Sequence, residues 1–283
     1  IFKMVDAPAQ KGLSNKLDKK RKRQADDSTK QDKPETAPAT SASADGPTKK
    51  KRKQKKTKKQ QAEHEARMQD RQDGIDQSIG KMDGRLLADY FVQRAKKVDK
   101  ELSAVELNDM SVPDYVFLDT SSFTESRHLD KLPDFLKAFS PKGADLSKAS
   151  EEKGTPHTLV VAGAGLRAAD VVRSLRSFQN KEAIVGKLFA KHIKLEEAKQ
   201  FLERARMGIG AGTPARISDL IESGTLKLNE LERIVIDGSH IDQKQRGIFD
   251  MKETHLPLLK LLTRPELRER YDAGKKKLQI LIF

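Results

Sequence analysis

Short apolar runs alternate with amphipathic segments from residue 158 to residue 283. The apolar runs predict strands at 158–162, 183–189, 207–212, 231–237 and 277–283, with 183–189 open to a mixed assignment. The amphipathic segments predict helices at 168–178, 194–205, 215–224 and 256–274, the last being one helix or two. Strands that are apolar throughout and alternate with helices are typical of parallel strands buried on both faces. The pattern therefore predicts an α/β fold, with a mostly parallel sheet flanked by helices.

The pattern is less regular before residue 158. Apolar residues recur at spacings of three and four from Arg85 to Leu102, which predicts an amphipathic helix that packs on its own domain or docks on a partner. Residues 114–119 read as a strand or an extended segment, and 126–139 as a helix with a bend at Pro133. We assign 61–109 to a helical N-terminal extension and 110–283 to the folded domain.

Residues 1–60 carry almost no apolar patterning and most of the charge. They hold 19 Lys and Arg against 7 Asp and Glu, a net of +12 in a chain whose net charge is +14. Such a segment buries too little apolar surface to offset the entropy of ordering, so we predict a disordered basic tail. Its two basic blocks predict nuclear import and RNA attraction through Lys19, Lys20, Arg21, Lys22, Arg23, Lys49, Lys50, Lys51, Arg52 and Lys53.

Composition removes several kinds of site. The chain has no cysteine, which excludes a disulfide framework, a thiolate zinc site and a cysteine nucleophile. Its six histidines lack metal-ligand spacing, and no apolar run approaches the ~20 residues of a membrane helix. We therefore expect no metal and no membrane partner. We also expect no cofactor and no small-molecule substrate.

One glycine motif leaves a nucleotide alternative open. The run Gly163-x-Gly165-x-x-Ala168 follows a predicted strand and precedes a predicted helix, as in dinucleotide-binding folds. The acidic residue expected at the end of the next strand is missing, since Glu182 comes before that strand. Nucleotide binding by the Gly163 and Gly165 turn therefore stays an alternative.

A more specific pattern lies downstream. "GTPAR" opens a predicted helix, and the strand ending at Asp237 follows, with 24 residues between Thr213 and Asp237. This arrangement resembles the first RecA-like domain of DEAD-box RNA helicases, where a Thr-Pro-Gly-Arg motif precedes an Asp-Glu-Ala-Asp motif. "LVVAGAGLRAADVV" and "LQILIF" fall where that family has two further motif-bearing segments. The resemblance implies a single RecA-like, P-loop NTPase-like domain.

The departures from the helicase pattern concern catalysis. The printed sequence has no Gly-Lys-Ser/Thr, the part of the P-loop that holds the β- and γ-phosphates. The acidic motif reads Asp237, Gly238, Ser239, His240, with glycine in place of the water-activating glutamate. We therefore predict a pseudo-helicase with no catalytic residues, in which Asp237 keeps a structural hydrogen bond.

Residues of the second motif remain candidates for RNA contact. Thr213, Pro214 and Arg216 match the helicase motif that grips the RNA backbone, and the turn that holds Gly163 and Arg167 completes the set. The alternative for Thr213 and Pro214 is purely structural, as the N-cap and first residue of a helix.

The run "IDGSHIDQKQRGIFD" is similar to the Cms family of degenerate DEAD-box-like proteins. That resemblance implies a nuclear and nucleolar assembly factor of the small-subunit processome, the early pre-ribosomal particle. Its implied partners are pre-rRNA, small nucleolar RNA and protein components of the particle. A general nuclear nucleic-acid-binding protein of replication or chromatin is the alternative.

Overall fold

The computed structural model of the chain describes residues 71–274 and 277–283. The predicted basic tail, its two lysine- and arginine-rich blocks and residues 61–70 of the extension lie outside the described residues. No helix among residues that the model describes has the length and apolar character needed to cross a membrane.

The strands match the predicted parallel sheet. In chain order they are β1 (Arg71–Gln72), β2 (Ile75–Asp76), β3 (Thr158–Val161), β4 (Ile184–Leu188), β5 (Met207–Gly212), β6 (Arg233–Ile236) and β7 (Gln279–Ile282). β1 and β2 form an antiparallel hairpin, and the other five form a parallel sheet in the order β4-β5-β3-β6-β7. The predicted fold class is confirmed, and the open assignment at 183–189 resolves as a strand.

The helices flank this sheet. They are α1 (Gly84–Val98), α2 (Ala104–Asp109), α3 (Leu132–Ala138), α4 (Gly165–Ser174), α5 (Leu195–Arg204), α6 (Pro214–Glu222), α7 (Lys252–Leu262) and α8 (Pro265–Tyr271). Two helices form in the 256–274 region because the backbone of Arg264 is extended and Pro265 starts a new helix.

The predicted helix at 126–139 was too long. A 3-10 turn at Leu129–Lys131 precedes α3, which begins only at Leu132. Pro133 lies in the first turn of α3, where its missing N–H costs no helical hydrogen bond, so it does not bend the helix. Residues 126–128, before this turn, form a loop.

The sheet is buried because its apolar residues pack on both faces. Val160, Val235 and Leu281 share one core cluster, and Ile234 and Ile236 belong to the other. Helix α1 joins the second cluster through the buried residues Leu87, Phe91 and Ala95. Of the two uses allowed by the sequence, the apolar stripe of α1 therefore packs on its own domain.

The topology creates a crevice at one end of the sheet. β4 and β5 lie on one side of β3, whereas β6 lies on the other side. The carboxyl ends of β3 and β6 therefore flank the point where the strand order changes direction. Open α/β sheets bind ligands at this position, so the residues that follow β3 and β6 define the candidate site.

Candidate functional site

An ion pair occupies the crevice between the ends of β3 and β6. Arg167, in the first turns of α4, donates from Nε and Nη2 to the two carboxylate oxygens of Asp237, at 2.7 Å and 3.0 Å. The side chain of Asp237 is 1% exposed and that of Arg167 is 15% exposed. Both carboxylate oxygens are therefore paired with a cation that the chain itself supplies.

The ion pair with Arg167 gives Asp237 a structural role. A carboxylate held bidentately by a buried guanidinium is oriented toward that partner, and replacing the guanidinium by a metal ion would leave an unpaired cation. The predicted structural hydrogen bond at Asp237 is present. Its partner, Arg167, was a predicted RNA contact, and sequence spacing gave no sign that the two side chains meet across 70 residues.

Close packing explains the glycine that follows Asp237. A Cβ atom at Gly238 would lie 2.8 Å from Ile282 Cγ2 and 2.9 Å from Phe249 Cε2. Carbon atoms do not approach this closely without displacement of a neighbour. A glutamate side chain at this position therefore has no space, and Phe249 covers the surface where it would stand.

The segment 238–250 folds back over the crevice. The backbone of Ile248 lies against Gly163, since a Cβ atom there would be 3.4 Å from Ile248 Cα. On its other side, Asp76 N–H donates to Ser239 O at 2.7 Å, which ties the segment to the β1–β2 hairpin. The crevice is thus covered by the same run of residues that resembles the Cms family.

Two polar residues of the degenerate motif are enclosed by this cover. Ser239 is fully buried, and its hydroxyl has no hydrogen-bond partner among the described residues. His240 is half-buried, and burial together with the Arg167 cation lowers its pKa. Burial and the neighbouring cation therefore favour the neutral imidazole of His240 at the end of β6.

Side-chain hydrogen bonds fix the tip of the covering segment. The Asp242 carboxylate accepts from Lys244 N–H at 2.8 Å and Arg246 N–H at 2.9 Å, and it also binds the Arg246 guanidinium. Partial burial acts to raise the Asp242 pKa, but together these hydrogen bonds outweigh it, so the pKa is lowered. Gln245 adopts a φ of 60°, a conformation uncommon for a residue other than glycine.

The predicted RNA-contact residues of the second motif lie at the end of β5, beside β3. Thr213 occupies the N-cap of α6 and Pro214 its first turn, yet the Thr213 side chain makes no capping bond. Arg216 is buried, at 8% exposure, and donates to Ile193 O at 3.1 Å. Thr213 thus keeps a half-buried hydroxyl that no described residue binds.

The structure also identifies a residue that the sequence analysis missed. Residues 117–131 form an irregular segment that contacts the outer edge of β7 near Phe117 and leads into α3. In that loop Arg127 is buried and donates to Thr120 O at 2.8 Å, Gly80 O at 3.1 Å and Ile282 O. Burial lowers its pKa to about 10.

The guanidinium of Arg127 therefore occupies the interior of this loop. The loop sequence from 120 to 131 contains no glycine, so its backbone lacks the freedom of a phosphate-cradling loop. An arginine in a polar run such as "SRHLDK" gives no periodic signal, which is why sequence reasoning did not single it out.

The chain also matches a known protein family. A family model described as "CMS1: U3-containing 90S pre-ribosomal complex subunit" matches residues 14–283. The chain belongs to this family. Family membership supports a role in ribosome biogenesis, within the 90S pre-ribosomal particle that the family description names.

Two curated relatives show how far the similarity extends. Protein CMS1 of Chaetomium thermophilum is 50% identical over 214 residues, covering 76% of this chain and 85% of the relative. Human protein CMSS1 is 33% identical over 178 residues, covering 63% of this chain and 59% of the relative. The aligned region thus spans little more than half of the human protein.

A solved structure of a DEAD box protein from Methanococcus jannaschii is also similar. It shares 18% sequence identity with this chain at a TM-score of 0.32, and the match covers 65% of this chain and 48% of that chain.

Among the described residues, no group of three or more His, Asp or Glu side chains is arranged to hold a metal ion.

Proposed function

We propose that the protein is a non-catalytic assembly factor of the small-subunit processome that binds pre-rRNA and protein partners. The observation that carries the non-catalytic part is the buried Arg167–Asp237 pair. Hydrolysis of a nucleoside triphosphate needs a metal held by the strand-end carboxylate and a residue that orients water. Here the carboxylate is bound to Arg167, and Gly238 packs against Phe249.

The glycine-turn alternative is disfavoured by the same cover. A pyrophosphate at the Gly163 turn would need the space that Ile248 occupies. The Gly165 position is also crowded, since a Cβ atom there would lie 3.2 Å from Lys191 Cβ. Saturable binding of ATP or NAD in calorimetry would contradict this conclusion.

An ATPase assay with RNA tests the proposed absence of catalysis. We expect phosphate release at the rate of the buffer control, both for the natural chain and for Asp237→Asn, which retains the side-chain shape. Turnover that is present in the natural chain and abolished in Asp237→Asn would show that the protein is an enzyme.

We infer RNA contact from two parts of the chain. The basic tail at 1–60 supplies phosphate attraction that does not depend on sequence, with nuclear import as a compatible second use. In the domain, Thr213 offers a hydroxyl without a partner among the described residues, at a helix N-terminus whose N–H groups favour anions. Pro214, Arg216, Gly163 and Arg167 stay predictions as RNA contacts.

Crosslinking in cells followed by RNA sequencing tests the proposed partners and the nucleolar location. We expect pre-rRNA and small nucleolar RNA to dominate the recovered RNA, and mass spectrometry to recover proteins of the early pre-ribosomal particle. Recovery mainly of DNA or messenger RNA would favour the general nuclear nucleic-acid-binding alternative. Thr213→Val, which keeps the side-chain shape, should weaken crosslinking by the domain and leave crosslinking by the tail.

A further inference from the structure

The outer edge of β4 pairs with no described strand. β4 pairs only with β5, so it ends the sheet on that side. Ile184 N–H donates to Arg206 O at 3.1 Å, and Leu188 O accepts from Thr213 N–H at 3.2 Å. Both bonds lie on the β5 side, so the backbone groups of Ile184 and Leu188 face inward.

Strand alternation then fixes which residues face outward. Backbone N–H and C=O groups of successive residues point to opposite sides of a strand, so those of Val185 and Lys187 point away from β5. Across residues 71–274 and 277–283, no backbone or side-chain group is hydrogen-bonded to these outward groups. An unpaired edge of this kind is a template for an added strand.

The helices on the two faces of the sheet deepen this edge into a groove. A cavity of about 750 Å³ lies along β4. Its apolar walls include Val172 of α4 on one face, and Ala198 and Phe201 of α5 on the other. Phe201 is 37% exposed, a large apolar side chain that the domain leaves uncovered. Alternate side chains of an added strand would therefore meet apolar surface on both faces.

The rim of the groove is positively charged. It carries two exposed cations that form no salt bridge with a described residue, Arg176 and Lys187. The acidic side chain in the same lining is Glu197. Charge complementarity therefore favours a partner segment that is acidic around its apolar residues.

The opposite edge of the sheet, along β7, is hydrogen-bonded to another segment of the chain. Along β7, Leu118 N–H donates to Ile280 O at 2.8 Å, and Thr120 Oγ1 donates to Ile282 O at 3.3 Å. Arg127 also donates to Ile282 O. The chain thus covers the β7 edge with residues 117–127, whereas no described segment covers the β4 edge.

We propose that the β4 edge binds an extended segment of a protein partner, which adds a sixth strand to the sheet. The segment would pair with Val185 and Lys187, bury alternate apolar side chains in the groove, and place acidic side chains near the basic rim. The cellular meaning of this site rests on the proposed assembly role. A protein segment is favoured over RNA because the outward groups form a backbone ladder, which nucleotides cannot continue.

Peptide selection against the purified full-length chain tests the proposal. The probe is a phage-displayed library of random 12-residue peptides, followed by fluorescence anisotropy with the selected peptides. We expect the selected peptides to alternate apolar residues and to carry Asp or Glu. Failure to enrich any such peptide would overturn the proposal.

Two substitutions at one position separate the backbone from the charge. Lys187→Ala removes the cation and keeps the outward N–H, whereas Lys187→Pro removes both, and proline is tolerated on an edge strand. We expect Lys187→Pro to bind the selected peptide on the order of 10-fold more weakly than Lys187→Ala. Equal affinities of the two variants would exclude strand addition.

Circular dichroism would show whether Lys187→Pro unfolds. If it does, further variants still test the proposal. Phe201→Ala should weaken binding severalfold, and the off-site control Val105→Ala, which changes a 70% exposed residue of α2, should leave it unchanged. Displacement of the peptide by a 12-nucleotide poly(U) at equal concentration would point to RNA as the occupant and overturn the proposal. Failure here would leave pre-rRNA recovery in cells unchanged, so the two proposals can fail separately.

Discussion

The crevice at the ends of β3 and β6 and the edge of β4 belong to one sheet. They differ in whether other residues of the chain cover them. In the crevice Arg167 pairs with Asp237, and residues 238–250 lie over the strand ends. At the β4 edge, no described residue bonds to the outward groups of Val185 and Lys187.

This difference shows which backbone and side-chain groups of the domain are already satisfied by the chain itself. The crevice is filled by the chain's own cation, Arg167, and by the ring of Phe249, so the end of β6 is part of the core. The sheet edge keeps its hydrogen-bonding capacity. Four expected outcomes test the contrast between the closed crevice and the open edge.

Removing Arg167 should have the largest effect. Arg167→Ala leaves Asp237 buried without its cation, so we expect the free energy of unfolding to fall by about 3 kcal/mol or more. Urea denaturation followed by circular dichroism measures this change. The matched control is Arg173→Ala on the same helix, which breaks the exposed pair with Asp170 and should cost about 0.5 kcal/mol or less. Similar losses for the two variants would contradict a closed, desolvated crevice.

Acid should loosen the crevice cover through His255. Its ring packs edge-on against Phe249, with ring centroids 5.7 Å apart, and Nε2–H donates to Phe91 O at 2.8 Å. Burial lowers the His255 pKa from 6.5 to about 4. Between these values the unfolded chain binds a proton that the folded protein does not, so stability falls as the pH falls through this window.

The expected loss attributable to His255 is about 2 kcal/mol at pH 5 relative to pH 7. Urea denaturation across this range measures it in the natural chain and in His255→Leu. The pH dependence should shrink in the variant without vanishing, because burial also lowers the pKa values of His157 and His240. An unchanged dependence on pH would show that His255 is not responsible.

Adding a single carbon at the motif glycine should have an intermediate effect. Gly238→Ala would push against Phe249 and Ile282, so we expect a loss of about 1–3 kcal/mol in the free energy of unfolding. Gly163→Ala is the matched control, because its nearest neighbour, Ile248, lies at 3.4 Å. A Gly238→Ala protein as stable as the natural chain would mean that the cover yields, and a larger residue there would then be tolerated.

Substitution at the open edge should change stability least. Lys187→Ala removes an exposed side chain whose backbone N–H stays available, so we expect a change within ~0.5 kcal/mol. Thermal denaturation compares it with the natural chain. A loss as large as that of Gly238→Ala would show that the β4 edge is already engaged by another part of the chain.

Local patterns in the sequence were sufficient for the elements of the fold. The apolar runs at β3, β6 and β7 indicated buried strands because burial on both faces requires continuous apolar residues. The prediction was wrong at 126–139, where Pro133 opens a helix instead of bending one. The RNA-contact roles of Thr213, Pro214 and Arg216 stay predictions, since no partner is present to test them.

Three features follow from the sequence alone, because each depends on residues close together in the chain. They are the order of the motifs, the absence of Gly-Lys-Ser/Thr from the printed sequence, and the glycine after Asp237. The folded chain was needed to show that Arg167 contacts Asp237, that Phe249 packs on Gly238, and that Arg127 is buried in the loop beside β7. It also decided which edge of the sheet is left open. These features depend on contacts between distant residues, which packing creates and local periodicity does not encode.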